Sequence, residues 1–452
     1  MNGLIKKIQD IWSIEDLRTR ILITIGFLAV YRFGSFVILP GIDSEGLKNA
    51  FGSGGGLIDL LNSFTGGSFF KAAVFALGIM PYISASIIVQ LLGFAVPYFQ
   101  KLQKDGENGQ RKLNQITRVI TIAITIVQGS AYLGYINGLG SGVIVPGIPP
   151  TVFWLSNIII LTAGTIFCMW LGERITDKGV GNGISLLITA GIIAALPGAF
   201  MQEFELRLGS GALIVFIIEM ALFVAVVMAS VALVQAVRKI KIQFAKHMIG
   251  RSNLNELGTE RDYLPIKLNA AGVMPIIFAQ ALMFAPGAIA AAMNSDAQIW
   301  RDLADFTSVL YNVVFFLLVV IFTYVYTALI VNPQQYADHL KRQNAFIPGV
   351  KQGNDTAEYI DEVTTLITLP GSVALGLISI VPGLAMAAGI ASNPNFAIFY
   401  GGTSLLILVA VVLDTLQQID GHLSMHGYDV RKIKGRTRTA SADNIDVDSY
   451  SE

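Results

Sequence analysis

The stretch that decides the fold is GIMPYISASIIVQLL, residues 78–92. It is apolar enough for the interior of a bilayer, yet it carries Pro81, Ser84, Ser86 and Gln90. A lipid-facing helix gains nothing from such residues, so one side of this segment faces something other than lipid. The rest of the chain has the same character. Of 452 residues, 53% are hydrophobic and only 14% are charged, too few to cover the surface of a soluble protein of this length. The class is therefore a polytopic membrane protein. Cys168 is the only cysteine, which excludes an internal disulfide and a cysteine-based metal site.

A spanning helix needs about 20 apolar residues. On that measure the sequence predicts ten spans, near 21–39, 72–96, 118–138, 153–171, 183–200, 211–236, 269–293, 309–331, 366–389 and 397–416. Residues 1–20 are amphipathic, with Leu4, Ile5, Ile8, Ile11 and Trp12 at helical spacing, and read as an interfacial helix rather than a cleaved signal peptide. With the N-terminus inside, the inner segments hold 26 of the 31 basic residues and the outer loops hold Lys48, Lys71, Arg207 and Arg301. That bias predicts both termini in the cytoplasm. Five spans per half is an odd number, so the second half enters the membrane from the opposite side. Halves that share a fold must then be inverted repeats.

Two inner loops are long, 237–268 and 332–365. The first holds seven basic residues, and its KIKIQFA alternates like a strand, with a hairpin turn expected around Gly250 and Arg251. The polar tail beyond Gly435 is expected to be disordered. Ionisable residues inside spans are functional candidates by default, and there are few. Arg32 lies near the outer end of span one and reads as a side chain reaching the interface. Glu219, inside span six, is either a coupling-ion ligand or a carboxylate satisfied by a neighbouring helix; Asp414 reads as interfacial. His422 and His426 have the spacing of a helical metal pair, but without a third ligand type beside them they read as a solvated face. GVGNG at 179–183 follows no strand, so it reads as the opening of span five rather than a phosphate loop. No Walker sequence is present, no metal or cofactor is expected, and nothing points to an enzyme.

GIMPYISASIIVQLL, ITDKGVGNGISLLI, LPIKLNAAGVMPIIFAQAL, NPQQYADHLKRQNAFIPGVK and YGGTSLLILVAVVLDTLQQIDGHL together resemble the signature segments of the SecY/Sec61-alpha family of protein-conducting channels, in matching order over 15–432. The resemblance implies an all-α fold of ten transmembrane helices, in two inverted five-helix halves around a central pore, with a short plug helix. Its divisions would be an N-terminal helix (1–20), a first half (21–206), a second half (207–416) with both long loops, and a tail (417–452). It implies a pore ring of Ile79, Ile83, Ile184, Ile188, Ile277 and Ile407, and a plug at 57–70 including Leu60, Leu61, Phe64, Gly66 and Gly67. It implies a lateral gate at Ser84 and Gln90, facing the seventh span at Ile277 and Gln280. Lys239, Lys241, Lys246, Arg251, Lys341, Arg342 and Lys351 would contact the motor or ribosome. Lys351 stands where the family commonly has arginine, and Ser252 where many relatives have a second one. A lysine cannot reproduce a planar bidentate contact.

The function implied is passive conduction of unfolded polypeptides across the plasma membrane and sideways release of hydrophobic helices into lipid. Energy would come from the SecA motor ATPase, the ribosome and the proton-motive force. The implied partners are SecE and SecG subunits, SecA, ribosomes with nascent chains, signal peptides and membrane lipids. The competing readings are an ion-coupled transporter with its ion at Glu219, and an assembly scaffold without a pore.

Overall fold

The computed structural model describes residues 11–43, 46–47, 62, 64–139, 142–209, 211–244, 261–280, 282–283, 298–305, 307–391 and 393–442. Its main helices are α1 (Glu15–Gly34), α2 (Met80–Ala95), α3 (Pro97–Lys104), α4 (Gly106–Gly138), α5 (Pro150–Lys178), α6 (Gly183–Gly209), α7 (Leu213–Gln235), α8 (Val309–Ile330), α9 (Pro333–Arg342), α10 (Asn354–Ala387) and α11 (Gly402–Ala442). Seven helical segments among the described residues are long and apolar enough to cross a membrane: α4, α5, α6, α7, α8 with α9, α10 and α11. The pair α2 and α3, bent by 102° at Val96, makes an eighth. With α1 and the helical residues at 274–280 and 282–283, all ten predicted spans have a helical counterpart.

Burial in these helices is inverted relative to a water-soluble bundle. Helix α7 buries Glu219, Ser230 and Leu233 and exposes Ile214, Ile217, Ile218, Val224 and Met228. Helix α4 buries a stripe of Thr117, Thr121 and Thr125, each hydroxyl donating to the carbonyl four residues back. Small hydroxylated residues let helices approach closely and satisfy their own donors, while apolar side chains turn outward to hydrocarbon.

Three of the apolar cores hold the two halves and their seam. One ties α4 and α5 to the outer ends of the first spans (Leu39, Tyr132, Leu133, Phe153 and Leu161). A second lies in the other half (Ile276, Tyr311, Phe315, Val319, Leu375 and Leu406). The third straddles the seam, joining Tyr31, Ile83, Ile188 and Ile192 to Phe396, Tyr400 and Ile407.

The predicted alternating strand is present. β1 (Val237–Phe244) pairs antiparallel with β2 (Arg261–Lys267), Val237 opposite Lys267 and Gln243 opposite Arg261, and β3 (Ala345–Phe346) adds to its other edge. Ile240 and Ile242 point inward onto Leu340 and Ile360 while Lys239 and Lys241 are exposed, the period-two pattern of a half-buried strand. The turn, with Lys246, Gly250 and Arg251, lies outside the described residues, as do residues 1–10 and the tail from 443.

Three boundaries differ from expectation. Span one is helical only to Gly34; the N–H of Leu39 then donates to the Ala72 carbonyl and that of Val74 to Val37, so 37–39 is tied to the start of span two. Span two is a run of turns until Met80, because Ala72 (φ 44°) and Gly78 (φ 52°) leave the helical region. Helix α11 continues to Ala442, through the first polar residues read as disordered, since no proline follows Gly402 to end it.

Candidate functional site: an apolar constriction at the seam

Helix α2 begins deep in the protein. Gly78 takes a left-handed conformation, Pro81 occupies the first turn where its missing N–H costs nothing, and Ile79 becomes the N-cap. That start aims Ile83, Ser84 and Ile87 at the seam. Helix α6 begins at Gly183, with the Asn182 side chain accepting from the N–H groups of Ile184 (3.1 Å) and Ser185 (3.3 Å). A Cβ at Gly183 would sit 1.9 Å from the Gly172 carbonyl oxygen, so glycine is what lets α6 start against α5. Ile184 and Ile188 follow on one face. Helix α11 starts at Gly402 (φ 60°), which brings Ile407 in from the other half.

These starts converge. Ile83, Ile188, Ile277 and Ile407, the last from α11 and Ile277 from the seventh span, line one small cavity with Ser84, Gln280 and Phe64. Ile79 is buried in the same core, and Ile184 packs against it. The water-accessible volume is about 30 Å³, room for about two waters. On the side of the basic sheet, Asn182, Ser185, Asp414, Thr415, Gln417 and Gln418 line a far larger hollow of about 450 Å³. A wide polar mouth thus narrows to a collar of β-branched side chains. The isoleucine side chains offer water and ions no hydrogen bond, and the polar groups on the lining are confined to Ser84, Gln280 and Thr403. The collar can still part around a peptide, because no directional bond joins the isoleucines.

The segment 64–70 sits on the far side of the collar. Gly66 (φ 64°) and Gly67 (φ 86°) supply the hinge residues expected of it, while 65–70 is a run of turns. It is self-bonded: Ser68 donates to the Thr65 carbonyl, the Phe69 N–H donates to Thr65 Oγ1, and that of Phe70 to Asn62 Oδ1. Arg32, part-exposed in the last turn of α1, donates from Nη1 to the Gly66 carbonyl at 3.0 Å, and its guanidinium lies 5.5 Å from the Phe36 ring centre. Gly191 on α6 backs the same segment, the only room there being what its missing side chain leaves. Leu60 and Leu61 lie outside the described residues.

The expected polar wall is divided. Ser84 faces the cavity with Gln280, but Gln90, 240° further round α2 on helical geometry, turns to the eighth span rather than the seventh. Its Oε1 accepts from Tyr326 Oη at 2.6 Å, and its Nε2 donates to Ser86 Oγ. Gln280 is bonded within its own half, its Oε1 accepting from Thr403 Oγ1. The polar tie that crosses from α2 to the second half is therefore Gln90 to Tyr326. Tyr326→Phe keeps the ring contact with Phe278 and deletes the tie, a loss of about 1 kcal/mol. The expected result is a roughly fivefold shift toward an open seam, read as more release of marginally apolar test segments into lipid; an unchanged release ratio counts against this role.

On the sheet face, Lys239 and Lys241 are exposed beside a groove floored by Ile240, Ile347, Pro348 and Val363, about 440 Å³ in water-accessible volume. Lys341 and Arg342 lie in the last turn of α9, and Lys351 is exposed just before α10. These cations and the constriction occupy separate regions of the sequence, and Lys246 and Arg251 fall outside the described residues. Glu219 is not open to the seam: it is ion-paired with Arg207, the satisfied-carboxylate alternative. Two features were missed from sequence: Gly191, one of many glycines with no local mark, and the Glu203–Arg207 pair, whose i,i+4 spacing was legible in EFELR.

Helical counterparts of all ten predicted spans, a core for each half and a small, largely apolar cavity between them define a membrane channel. The chain belongs to the SecY family, whose model matches residues 73–416. It is 40% identical over 434 residues to the protein translocase subunit SecY of Streptomyces coelicolor, covering 92% of this chain and 96% of the relative. It is 38% identical over 448 residues to that of Chlamydia muridarum, covering 93% and 97%. Among solved structures, a protein-conducting channel matches with TM-score 0.61 and 17% identity over 89% of this chain and 91% of the other. Sec61 in the canine ribosome-channel complex matches with TM-score 0.57 and 16% identity over 89% and 91%.

Proposed function

We propose that this chain forms the protein-conducting channel of a Sec translocase. It passes unfolded polypeptides across the plasma membrane and releases apolar helices sideways into lipid, with both termini in the cytoplasm. The observation that carries the reading is the isoleucine collar, four members of which line one narrow cavity contributed by both halves. Ile79, Ile83, Ile184, Ile188, Ile277 and Ile407 form the ring, and the segment around Phe64, Gly66 and Gly67 is the plug that leaves it when cargo enters. Ser84 and Gln280, with Gln90 and Tyr326, line the seam that opens to lipid.

The chain is a passive conduit. Work is done on the cargo by the SecA motor, by translation and by the membrane potential, while SecE and SecG brace the bundle. The basic sheet suits a partner with an acidic or RNA surface, and the relative captured in a ribosome-channel complex points to the ribosome as one such partner. An ion-coupled mechanism loses its motive, since Glu219 is occupied by Arg207.

The test is site-specific crosslinking of a stalled export intermediate. Photoreactive probes at 83, 188, 277 and 407 should capture the threaded chain, while probes at the exposed positions 214 and 228 should capture lipid. Cargo that reaches none of the four ring positions overturns the assignment.

A further inference from the structure

Behind the isoleucine collar, inside the second half, lies another small cavity. Asn312 of α8, Ser379 and Pro382 of α10 and Gly402 of α11 line it, together with Gln280 and Thr403. Gln280 and Thr403 also line the collar cavity. The hydrogen bond from Thr403 Oγ1 to Gln280 Oε1 is therefore the partition between the two spaces. The rear cavity has a water-accessible volume of about 30 Å³, room for about two waters.

Its walls hold polar groups with capacity left over. Gln280 is 4% exposed and its Oε1 is taken by Thr403, but among the described residues nothing accepts from its Nε2. A buried amide donor left without an acceptor bears its full desolvation. Ser379 gives its own proton to the Leu375 carbonyl at 2.8 Å, which leaves its oxygen able to accept. Thr403 Oγ1, whose proton goes to Gln280, keeps the same capacity. The backbone adds to the demand. Pro382 has no N–H for the Ile378 carbonyl four residues back, and the start of α11 is packed against that break. A Cβ on Gly401 would lie 2.7 Å from the Ile378 oxygen, and one on Gly402 would lie 3.1 Å from Pro382 Cγ. Proline breaks inside a membrane are tolerated where ordered water or neighbouring side chains take up the freed groups. A buried water makes about three hydrogen bonds, and one donor with two acceptors meets that count. An anion fits less well, because none of the described residues lining the cavity is positively charged.

We propose that this cavity is a water-binding site, in which water accepts from Gln280 Nε2 and donates to Ser379 and Thr403, and that this water stands in for the Gln280–Thr403 bond when the seam opens. The second part rests on the reading that the seam between α2 and the seventh span parts for apolar cargo. Gln280 belongs to the seventh span and Thr403 to α11, so any displacement of that span relative to α11 separates them. In a dry wall both groups would be stranded, and opening would bear the desolvation of each. With water already beside them, each group exchanges one partner for another at little net cost. The site thus lowers the barrier to moving the seventh span without weakening the closed state, in which the direct bond is made.

The test uses the intact channel with its accessory subunits in nanodiscs. A density map fine enough to resolve ordered solvent should place water within hydrogen-bonding distance of Gln280 Nε2 in the native protein. Ser379→Val replaces the hydroxyl by methyls and should remove that water. Asn312→Leu fills the same space from α8 and carries the measurement if Ser379→Val does not assemble. In either variant the release of marginally apolar test segments into lipid should fall about tenfold. The melting temperature should stay at or above the native value, which a merely weakened fold would not give. A native map without solvent density at Gln280 overturns the site. Density that gives way to bromide when bromide replaces chloride also overturns it, by identifying an anion as the occupant. A release ratio unchanged in both variants overturns the role in opening. The density is read without cargo, so it decides the site even if crosslinking at the ring positions fails and the channel reading with it.

Discussion

Ile83→Asn combined with Ile407→Asn turns the sealed constriction into a leaking one. Both side chains line the cavity, from opposite halves, and both are buried to 9% exposure or less. The seal depends on the isoleucine ring leaving water few groups to bind, Ser84, Gln280 and Thr403 being the polar ones on the lining. An amide on each side supplies donors and acceptors across a space of about 30 Å³, where a hydrogen bond to otherwise stranded water is worth about 1–3 kcal/mol. Two such gains, about 2 kcal/mol together at the low end, lower the wetting barrier enough for resting ion flux to rise at least about 30-fold. Because less work is then needed to part the collar, precursors with poor signal sequences should be exported as well. Ile83→Leu is the control: it keeps the apolar surface and should remain tight. Potassium flux into proteoliposomes reads the leak, and export of a signal-defective precursor reads the stringency. Native leak and native stringency in the double variant would remove the collar from the mechanism.

The second large effect is expected at a position with no side chain. A Cβ on Gly191 would lie 2.7 Å from the Phe64 carbonyl oxygen and 3.1 Å from the Gly66 nitrogen. Both are backbone atoms, so the clash cannot be relieved by a rotamer change. Gly191→Val adds two further methyls, and the 64–66 segment has to move off α6. It would give up the Arg32 hydrogen bond to Gly66 and part of the seal formed by Phe64. Overpacking of this kind costs about 1–3 kcal/mol, which raises the fraction of channels with the segment displaced by roughly 5- to 100-fold. The expected readout is again resting leak. Gly198, on the same helix with nothing within 4 Å of an added Cβ, supplies the comparison: Gly198→Ala should behave as native. Equal leak in the two variants would detach the 64–70 segment from closure.

The architecture was legible in the sequence because a bilayer admits few solutions. Apolar runs of spanning length had to be helices, and the helices are there, even where Pro370 and Pro382 interrupt α10. KIKIQFA announced a strand by its period, and the strand buries Ile240 and Ile242 as that period requires. The ring positions came from motif resemblance rather than from any property of isoleucine. An isoleucine pair four apart marks a helix face and is silent about what that face meets.

What the sequence by itself determined is thus the set of elements and the lopsided placement of basic residues, both of which follow from transfer free energy and local periodicity. Only the tertiary structure decided who meets whom. Gln90 reaches Tyr326, 236 residues away, Arg32 holds a carbonyl 34 residues on, and Arg207 is shared by two carboxylates and by Ile390 across the seam. The physical reason is that a polar group in a dry interior must find a partner wherever the packed helices bring one within hydrogen-bond reach. That distance is a property of the assembled bundle and is written in no single segment of it.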